Sequence, residues 1–92
     1  MGGHSAPKTD AEGLAKIAAW RTTVEGHTGT HYTEFTVLSY TTQVVAGTNY
    51  KAKIRVGADT YIHVKIHEPL PHTGNPAHVM EHSAGHTLVD AL

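Results

Sequence analysis

Two runs of alternating residues constrain the fold of this chain more than any other feature. Residues 50–56 and 61–67 each carry apolar side chains at every even position. Those positions are Tyr50, Ala52, Ile54, Val56, Ile62, Val64 and Ile66. Successive side chains of a strand point to opposite faces, and Gly57-Ala58-Asp59 provides a turn between the runs. The pattern predicts an antiparallel hairpin with one buried face, and an exposed face that includes Lys53, Tyr61 and His63.

A further strand is predicted ahead of this hairpin. Residues 32–42 are rich in Tyr, Phe, Val and Thr, which favour strands. Their alternation is imperfect, because Phe35 and Val37 share one face whereas Leu38 and Tyr40 fall on the other. A β-bulge or a twist in this strand would reconcile the two sets.

The first third of the chain predicts an amphipathic helix. Thr9 and Glu12 have the spacing of a capping box, which predicts the helix start, and Gly26 predicts its end after Glu25. Leu14, Ile17 and Val24 form an apolar stripe, with Trp20 and Arg21 at its flanks. Gly13 lies inside this helix, at a cost of about 1 kcal/mol relative to alanine.

The remaining chain completes an α+β domain. Three prolines exclude regular structure from residues 68–76, and a last strand is predicted at about Ala77–His82. One N-terminal helix followed by strands without intervening helices predicts a helix packed across a four- to five-stranded antiparallel sheet. Residues 1–92 are expected to form a single domain, with residues 1–8 as a flexible arm.

Composition narrows the function. Seven basic and eight acidic side chains give a formal charge of −1, which argues against a nucleic-acid partner. No apolar run suits a signal peptide or a membrane span, and there is no cysteine, so a cytoplasmic protein is expected. Without a thiol, a Gly-x-Ser-x-Gly turn or a phosphate-binding glycine loop, neither an enzyme nor a cofactor is expected.

Five uncharged residues, Gln43-Val44-Val45-Ala46-Gly47, connect two predicted strands. Such connections are normally polar because they lie in water. An apolar centre that the core does not need indicates a binding surface.

These residues, followed by Thr48-Asn49-Tyr50, resemble the first inhibitory hairpin of the cystatin superfamily, and most closely its stefin branch (type 1 cystatins). The resemblance runs from about Tyr32 to Pro71 and includes Val56-Gly57 and Leu70-Pro71-His72. It implies a cystatin-like fold and reversible, tight-binding inhibition of papain-like cysteine proteases of the cathepsin type.

The resemblance also implies which residues bind the protease. Three elements would form a wedge that fills the active-site cleft without offering a bond to cut. They are the arm at Gly2 and Gly3, the hairpin Gln43, Val44, Val45, Ala46 and Gly47, and a second loop at Leu70, Pro71 and His72. Two departures stand out: only Met1 precedes the glycines, and residues 78–92 match the family poorly.

Other interpretations stay open at this point. Val44 and Val45 can continue a strand into the core, Gly2 and Gly3 can be residues added for expression, and Leu70-Pro71 can be a plain turn. The stefin frame can also be an engineered scaffold with new recognition. An apolar hairpin between long strands can open and exchange with a second molecule, which predicts a monomer with a domain-swapped dimer as a further form.

The nine histidines support one more alternative, a metal-binding or pH-responsive protein. His78, His82 and His86 recur every four residues and would share a face, with Glu81 beside them. His63 and His67 lie on the expected exposed face of another strand. Protonation of all nine would move the formal charge from −1 to +8 (−1 plus 9).

Overall fold

The structure is a computed structural model that describes residues 3–92. Helices α1 (Ala11–Ala18) and α2 (Arg21–Thr28) precede four strands, which form one antiparallel sheet in chain order. The strands are β1 (Thr36–Val45), β2 (Gly47–Gly57), β3 (Thr60–Glu68) and β4 (His78–His86), with a 3₁₀ turn at Pro71–Thr73. The predicted α+β fold is confirmed. Neither helix is long and apolar enough to cross a membrane within the described residues.

The helix begins one residue later than the capping box predicted. Asp10 is the N-cap, and its carboxylate accepts a hydrogen bond of 2.9 Å from the amide of Gly13. Thr9 therefore does not cap the helix. A carboxylate at this position satisfies a free amide and also interacts favourably with the helix dipole.

The single predicted helix is divided at Trp20 and ends later than expected. The amide of Trp20 donates to the carbonyl of Ile17, three residues back rather than four, at 2.9 Å. This tighter turn ends α1, and α2 begins at the next residue. The stop is Gly29, not Gly26, because Gly29 adopts the left-handed conformation (φ 74°) that closes the last turn.

The core lies between the two helices and one face of the sheet, called here the inner face. Helix α1 lies against β1 and α2 against β4. The residues with no exposed surface are Ile17, Val24, Ala52, Ile54 and Ile66. The alternating positions of β2 and β3 thus supply the buried face, as predicted.

Gly13 allows α1 to approach β1 closely. A Cβ atom at Gly13 would lie 1.9 Å from the hydroxyl oxygen of Tyr40. That hydroxyl donates a hydrogen bond of 2.5 Å to Asp10. The bond to the Asp10 carboxylate, together with burial, raises the pKa of Tyr40 to about 12. The glycine that weakens the helix therefore permits a contact that fastens the helix to the sheet.

Strand β1 starts at Thr36, four residues later than predicted, and it contains the expected bulge. Val37 pairs with Ile54 and Ser39 with Lys53, so Leu38 is the extra residue. Tyr32 and Phe35 precede the strand but still pack, half-buried, against the core.

The opposite face, called the outer face, is less exposed than the alternation predicted. Lys53 is 3% exposed and Tyr61 7% exposed. Residues 87–92, called the tail, fold back over Lys53. The Lys53 ammonium donates to the carbonyl of Thr87, to the carbonyl of Asp90 (2.9 Å) and to the Asp90 carboxylate. A strand pattern cannot reveal a later segment that covers its polar face.

Candidate functional site

The hairpin between β1 and β2, called the tip, protrudes from one end of the sheet. The strands pair as far as Val45 and Gly47, so Ala46 alone lies between them. Val44 is 74% exposed and Val45 38% exposed. The interpretation of these valines as core residues is therefore wrong, and the tip presents an apolar surface to solvent.

Gly47 fixes the tip against the end of β3. Its φ is 105°, a conformation that side chains disfavour. A Cβ atom here would lie 2.3 Å from the carbonyl oxygen of Glu68 and 3.1 Å from Cα of Pro69. Both neighbours are backbone atoms, so the close approach requires glycine.

The second loop begins at this contact. Leu70 is 40% exposed, and Pro71 starts the 3₁₀ turn, which also holds His72. Thr73 closes the turn by donating from its amide (3.1 Å) and hydroxyl (2.8 Å) to the carbonyl of Leu70. Valines of the tip and Leu70-Pro71 line one groove of about 490 Å³. The tip and the second loop thus share one edge of the molecule.

A polar contact ties the start of the second loop to the helix. The ammonium of Lys16 lies 2.9 Å from the carboxylate of Glu68, and the hydroxyl of Tyr50 donates to the same carboxylate at 3.2 Å. The hydrogen bond to Glu68 raises the pKa of Lys16. Because Lys16 is half-exposed, this pair contributes only about 0–1 kcal/mol and acts mainly on geometry.

The described part of the arm runs antiparallel to β1, toward the tip. Lys8 and Tyr40 exchange backbone hydrogen bonds of 2.7 and 3.1 Å, and the Ser5 amide donates to Thr42 at 2.7 Å. His4 Nδ1 lies 3.1 Å from the hydroxyl of Thr41, so the contacts of the arm reach Thr41 and Thr42, a few residues before the tip. Gly3 is exposed, with no atom within 4 Å of the position of a Cβ. Gly2 lies outside the described residues, and the flexibility of the arm stays a prediction.

A row of polar side chains crosses the outer face just behind the tip, and sequence patterns did not reveal it. Gln43, Asn49, His67 and His78 are directly paired from strand to strand. The Asn49 side-chain amide donates to Gln43 Oε1 at 3.1 Å, and His67 Nδ1 donates to Asn49 Oδ1 at 2.7 Å. The rings of His67 and His78 lie 5.5 Å apart. These four residues are called the cross-sheet row.

Only two of the three histidines predicted to share a face on β4 do so: His78 and His86 lie on the outer face and His82 on the inner face. The pairing register of β4 shifts twice, between the partners of Ile66 and Lys65 and between those of His63 and Tyr61. The first extra residue moves His82 to the inner face, and the second returns His86 to the outer face. Each histidine therefore meets a different ring: His78 meets His67, His82 meets His27, and His86 stacks on His63 at 3.5 Å.

The stacked pair belongs to a cluster that fastens the tail. His86 Nδ1 lies 2.6 Å from the Asp90 carboxylate, and His63 Nε2 lies 3.7 Å from it. Burial, with the nearby cations, lowers the pKa of His63 to about 4, so this ring is neutral at pH 7 and the contact is not an ion pair. The bond from Lys53 holds the pKa of Asp90 well below its usual range, and His86 adds to this.

These three residues have the composition of a metal site, with ligand atoms within 4.8 Å of one another. Two features indicate that the cluster fastens the tail to the sheet and does not bind a metal. The ammonium of Lys53 already neutralises the only carboxylate of the cluster. The two imidazole planes are nearly parallel (12°), so their lone pairs do not converge on one point.

Comparison with known proteins gives a family match. The family described as Cystatin domain matches residues 6–85, which include the tip and the second loop. The chain is 33% identical over 92 residues to leukocyte cysteine proteinase inhibitor 1 of Sus scrofa, covering 99% of the chain and 89% of that protein. It is 39% identical over 85 residues to cystatin-B of Oplegnathus fasciatus (89% and 85% covered). It is 48% identical over 48 residues to cystatin-A of Bos taurus (52% and 49% covered).

Proposed function

The chain belongs to the cystatin family, whose members are cysteine protease inhibitors and not enzymes, and we propose that it acts as a reversible, tight-binding wedge in papain-like proteases of the cathepsin type. The resemblance to stefins is confirmed by the relatives named cystatin-A and cystatin-B. The roles of the individual residues and the choice of protease are part of the proposal.

One observation supports the wedge above all others: an apolar tip and a second loop share one edge of the molecule, and the described part of the arm lies along the strand that leads to the tip. Val44, Val45 and Leu70 together expose aliphatic surface there, and no charged side chain lies within the tip. Such residues lose water on entering a cleft without leaving polar side chains unpaired. Gly2, Gly3, Gln43 and His72 would add backbone or polar contacts around this centre.

The wedge is also held in shape before binding. The tip is a continuation of two long paired strands, and Gly47 rests on the backbone of Glu68 and Pro69. Little conformational entropy is then lost when a protease closes around it. The chain also reverses direction at Ala46, so the tip cannot pass through a cleft as one continuous extended segment.

Papain inhibition tests this proposal. The wild-type protein should inhibit papain at equimolar ratios and remain uncleaved. Val44→Asp should weaken inhibition by at least about a hundredfold, because a carboxylate at the tip must be desolvated. Val89→Asp is the matched control, since Val89 is 89% exposed in the tail, and it should inhibit as the wild type does.

The outcomes separate the alternatives. A folded wild type that leaves papain active at micromolar concentration would remove the wedge and favour an engineered scaffold on this frame. Equal loss in Val44→Asp and Val89→Asp would show that the tip is not the contact. Deletion of residues 1–3 should weaken inhibition less than Val44→Asp, because Gly2 and Gly3 bring no side chain into the cleft.

Location and assembly complete the proposal. The resemblance to stefins supports a cytoplasmic location, and the long β1–β2 hairpin supports a monomer that can exchange strands with a second copy. Size-exclusion chromatography after mild heating tests the exchange. The dimer fraction should grow with time and concentration, and a strictly monomeric profile would dismiss it.

A further inference from the structure

Asn49 is a buried polar residue in a position where an apolar one would fit. It is 7% exposed, and both ends of its amide are used, toward Gln43 on β1 and His67 on β3. Oδ1 of asparagine only accepts hydrogen bonds, so His67 Nδ1 must carry the proton. Buried polar groups that bond in two directions specify geometry more than they add stability.

The direction of these bonds leads to the tip. The Cε1 atom of the His67 ring lies 3.2 Å from the position of a Cβ on Gly47, so the ring edge rests on the tip backbone. His67 and His78 line a groove of about 520 Å³ together with Ala46 and Leu70. The ring that Asn49 holds therefore borders the tip at Gly47 and lines the same groove as Leu70 of the second loop.

We propose that Asn49 is a positioning residue for protease binding: its hydrogen bonds to Gln43 and His67 join three strands directly behind the tip and so set the spacing between the tip and the second loop. Gln43 and His78 are the ends of the same cross-sheet row, one on each edge strand. The inference rests on the proposed wedge, because it concerns how the wedge keeps its shape. Asn49 acts through His67 and need not touch the protease.

The experiment compares variants that keep or remove one hydrogen bond. Asn49→Leu removes both bonds at similar volume, and His67→Leu removes the donor. His67→Asn places a side-chain N–H near the position of Nδ1 and keeps the donor, while it loses the ring as His67→Leu does. Asn49→Leu and His67→Leu should weaken papain inhibition by at least about tenfold, whereas His67→Asn should stay within about threefold of wild type.

Lys65→Gln is the matched control, since Lys65 lies on the same face of β3, one level further from the tip. It should inhibit as wild type does. Equal losses in His67→Asn and His67→Leu would show that ring packing, not the hydrogen bond, matters, and would overturn the proposal. Inhibition at wild-type strength by Asn49→Leu and His67→Leu would overturn it as well, while leaving the wedge intact.

A second readout keeps this inference separate from the proposed function. Amide hydrogen exchange at Ala46 and Gly47 reports the tip without any protease. Exchange should be at least about tenfold faster in His67→Leu than in His67→Asn, with other amides of β2 unchanged. If wild type fails to inhibit papain but shows this difference, the wedge fails and the positioning role stands. If exchange at the tip is the same in both variants, the positioning role fails.

Discussion

Replacing Gly47 by alanine tests the link between tip geometry and inhibition. The new methyl carbon would start 2.3 Å from the carbonyl oxygen of Glu68 and 3.1 Å from Cα of Pro69. Neither atom can rotate away, because both belong to the backbone. The hairpin or the second loop must therefore shift, and the spacing between them changes.

The free energy of unfolding should fall by two contributions. A positive φ costs a non-glycine residue about 1–2 kcal/mol, and overpacking a tight contact costs about 1–3 kcal/mol. Gly47→Ala should then lose about 2–5 kcal/mol, which lowers the melting temperature by about 10 °C or more for a domain of this size.

Gly29→Ala separates the two contributions. Gly29 has a φ of 74° but no atom within 4 Å of the position of a Cβ, and it lies at the end of α2. It shares the backbone cost, and the lower entropy of the unfolded alanine chain, but not the collision. We expect a loss of about 1–2 kcal/mol and unchanged papain inhibition, against at least about hundredfold weaker inhibition for Gly47→Ala. Equal melting temperatures and equal inhibition in the two variants would refute the reasoning.

Three further changes test other contacts. Gly13→Ala should lower the free energy of unfolding by about 1–3 kcal/mol although alanine favours helices, because the new methyl group displaces Tyr40. Ultraviolet titration should then show the pKa of the Tyr40 phenol falling from about 12, since its hydrogen bond to Asp10 is lost. The pKa of His63 is about 4 in the fold and 6.5 as a free side chain. The contribution of the buried neutral ring to the free energy of unfolding is therefore complete above pH 6.5 and is lost as the pH falls toward 4. Urea unfolding of wild type at pH 7.5 and 4.5 should therefore differ by on the order of 3 kcal/mol more than unfolding of His63→Gln, and equal differences would contradict the burial of this ring. Asp90→Asn should lower the melting temperature more than Val89→Asn, because the buried ammonium of Lys53 loses its carboxylate; identical melting curves would show that the tail is not fastened there.

The strands and the tip could be predicted from sequence because they depend on local rules. Alternation at residues 50–56 and 61–67 sets which side chains face the helices, whatever the rest of the chain does. The uncharged segment at Gln43–Gly47 was unusual for a connection, and the structure exposes Val44, Val45 and Ala46 at its centre. The bulge in β1 was suggested by the same periodicity, since a regular strand would point Phe35 and Leu38 to opposite faces.

Features that depend on distant segments could not be predicted in this way. The burial of Lys53 requires the tail, which lies more than 30 positions away in the chain. The row through Asn49 requires the register of four strands, and the irregularities in β4 place His82 on the face opposite to His78 and His86. No proline or glycine at Trp20 marks the division of the helix in the sequence. The ring of Trp20 packs edge-on against Tyr50 on the sheet, a contact with a distant part of the chain.

The path of the arm along β1 has a consequence for self-association. An uncovered outermost strand offers free backbone donors and acceptors to any other chain, and this is a common route to fibrils. Ser5 and Lys8 occupy those groups at Tyr40 and Thr42 of β1, while the register shifts of β4 make the opposite edge a poor template for growth. If a protease bound the arm in its cleft, the backbone groups at the edge of β1 would become exposed. The bound enzyme would then have to cover this edge to prevent aggregation.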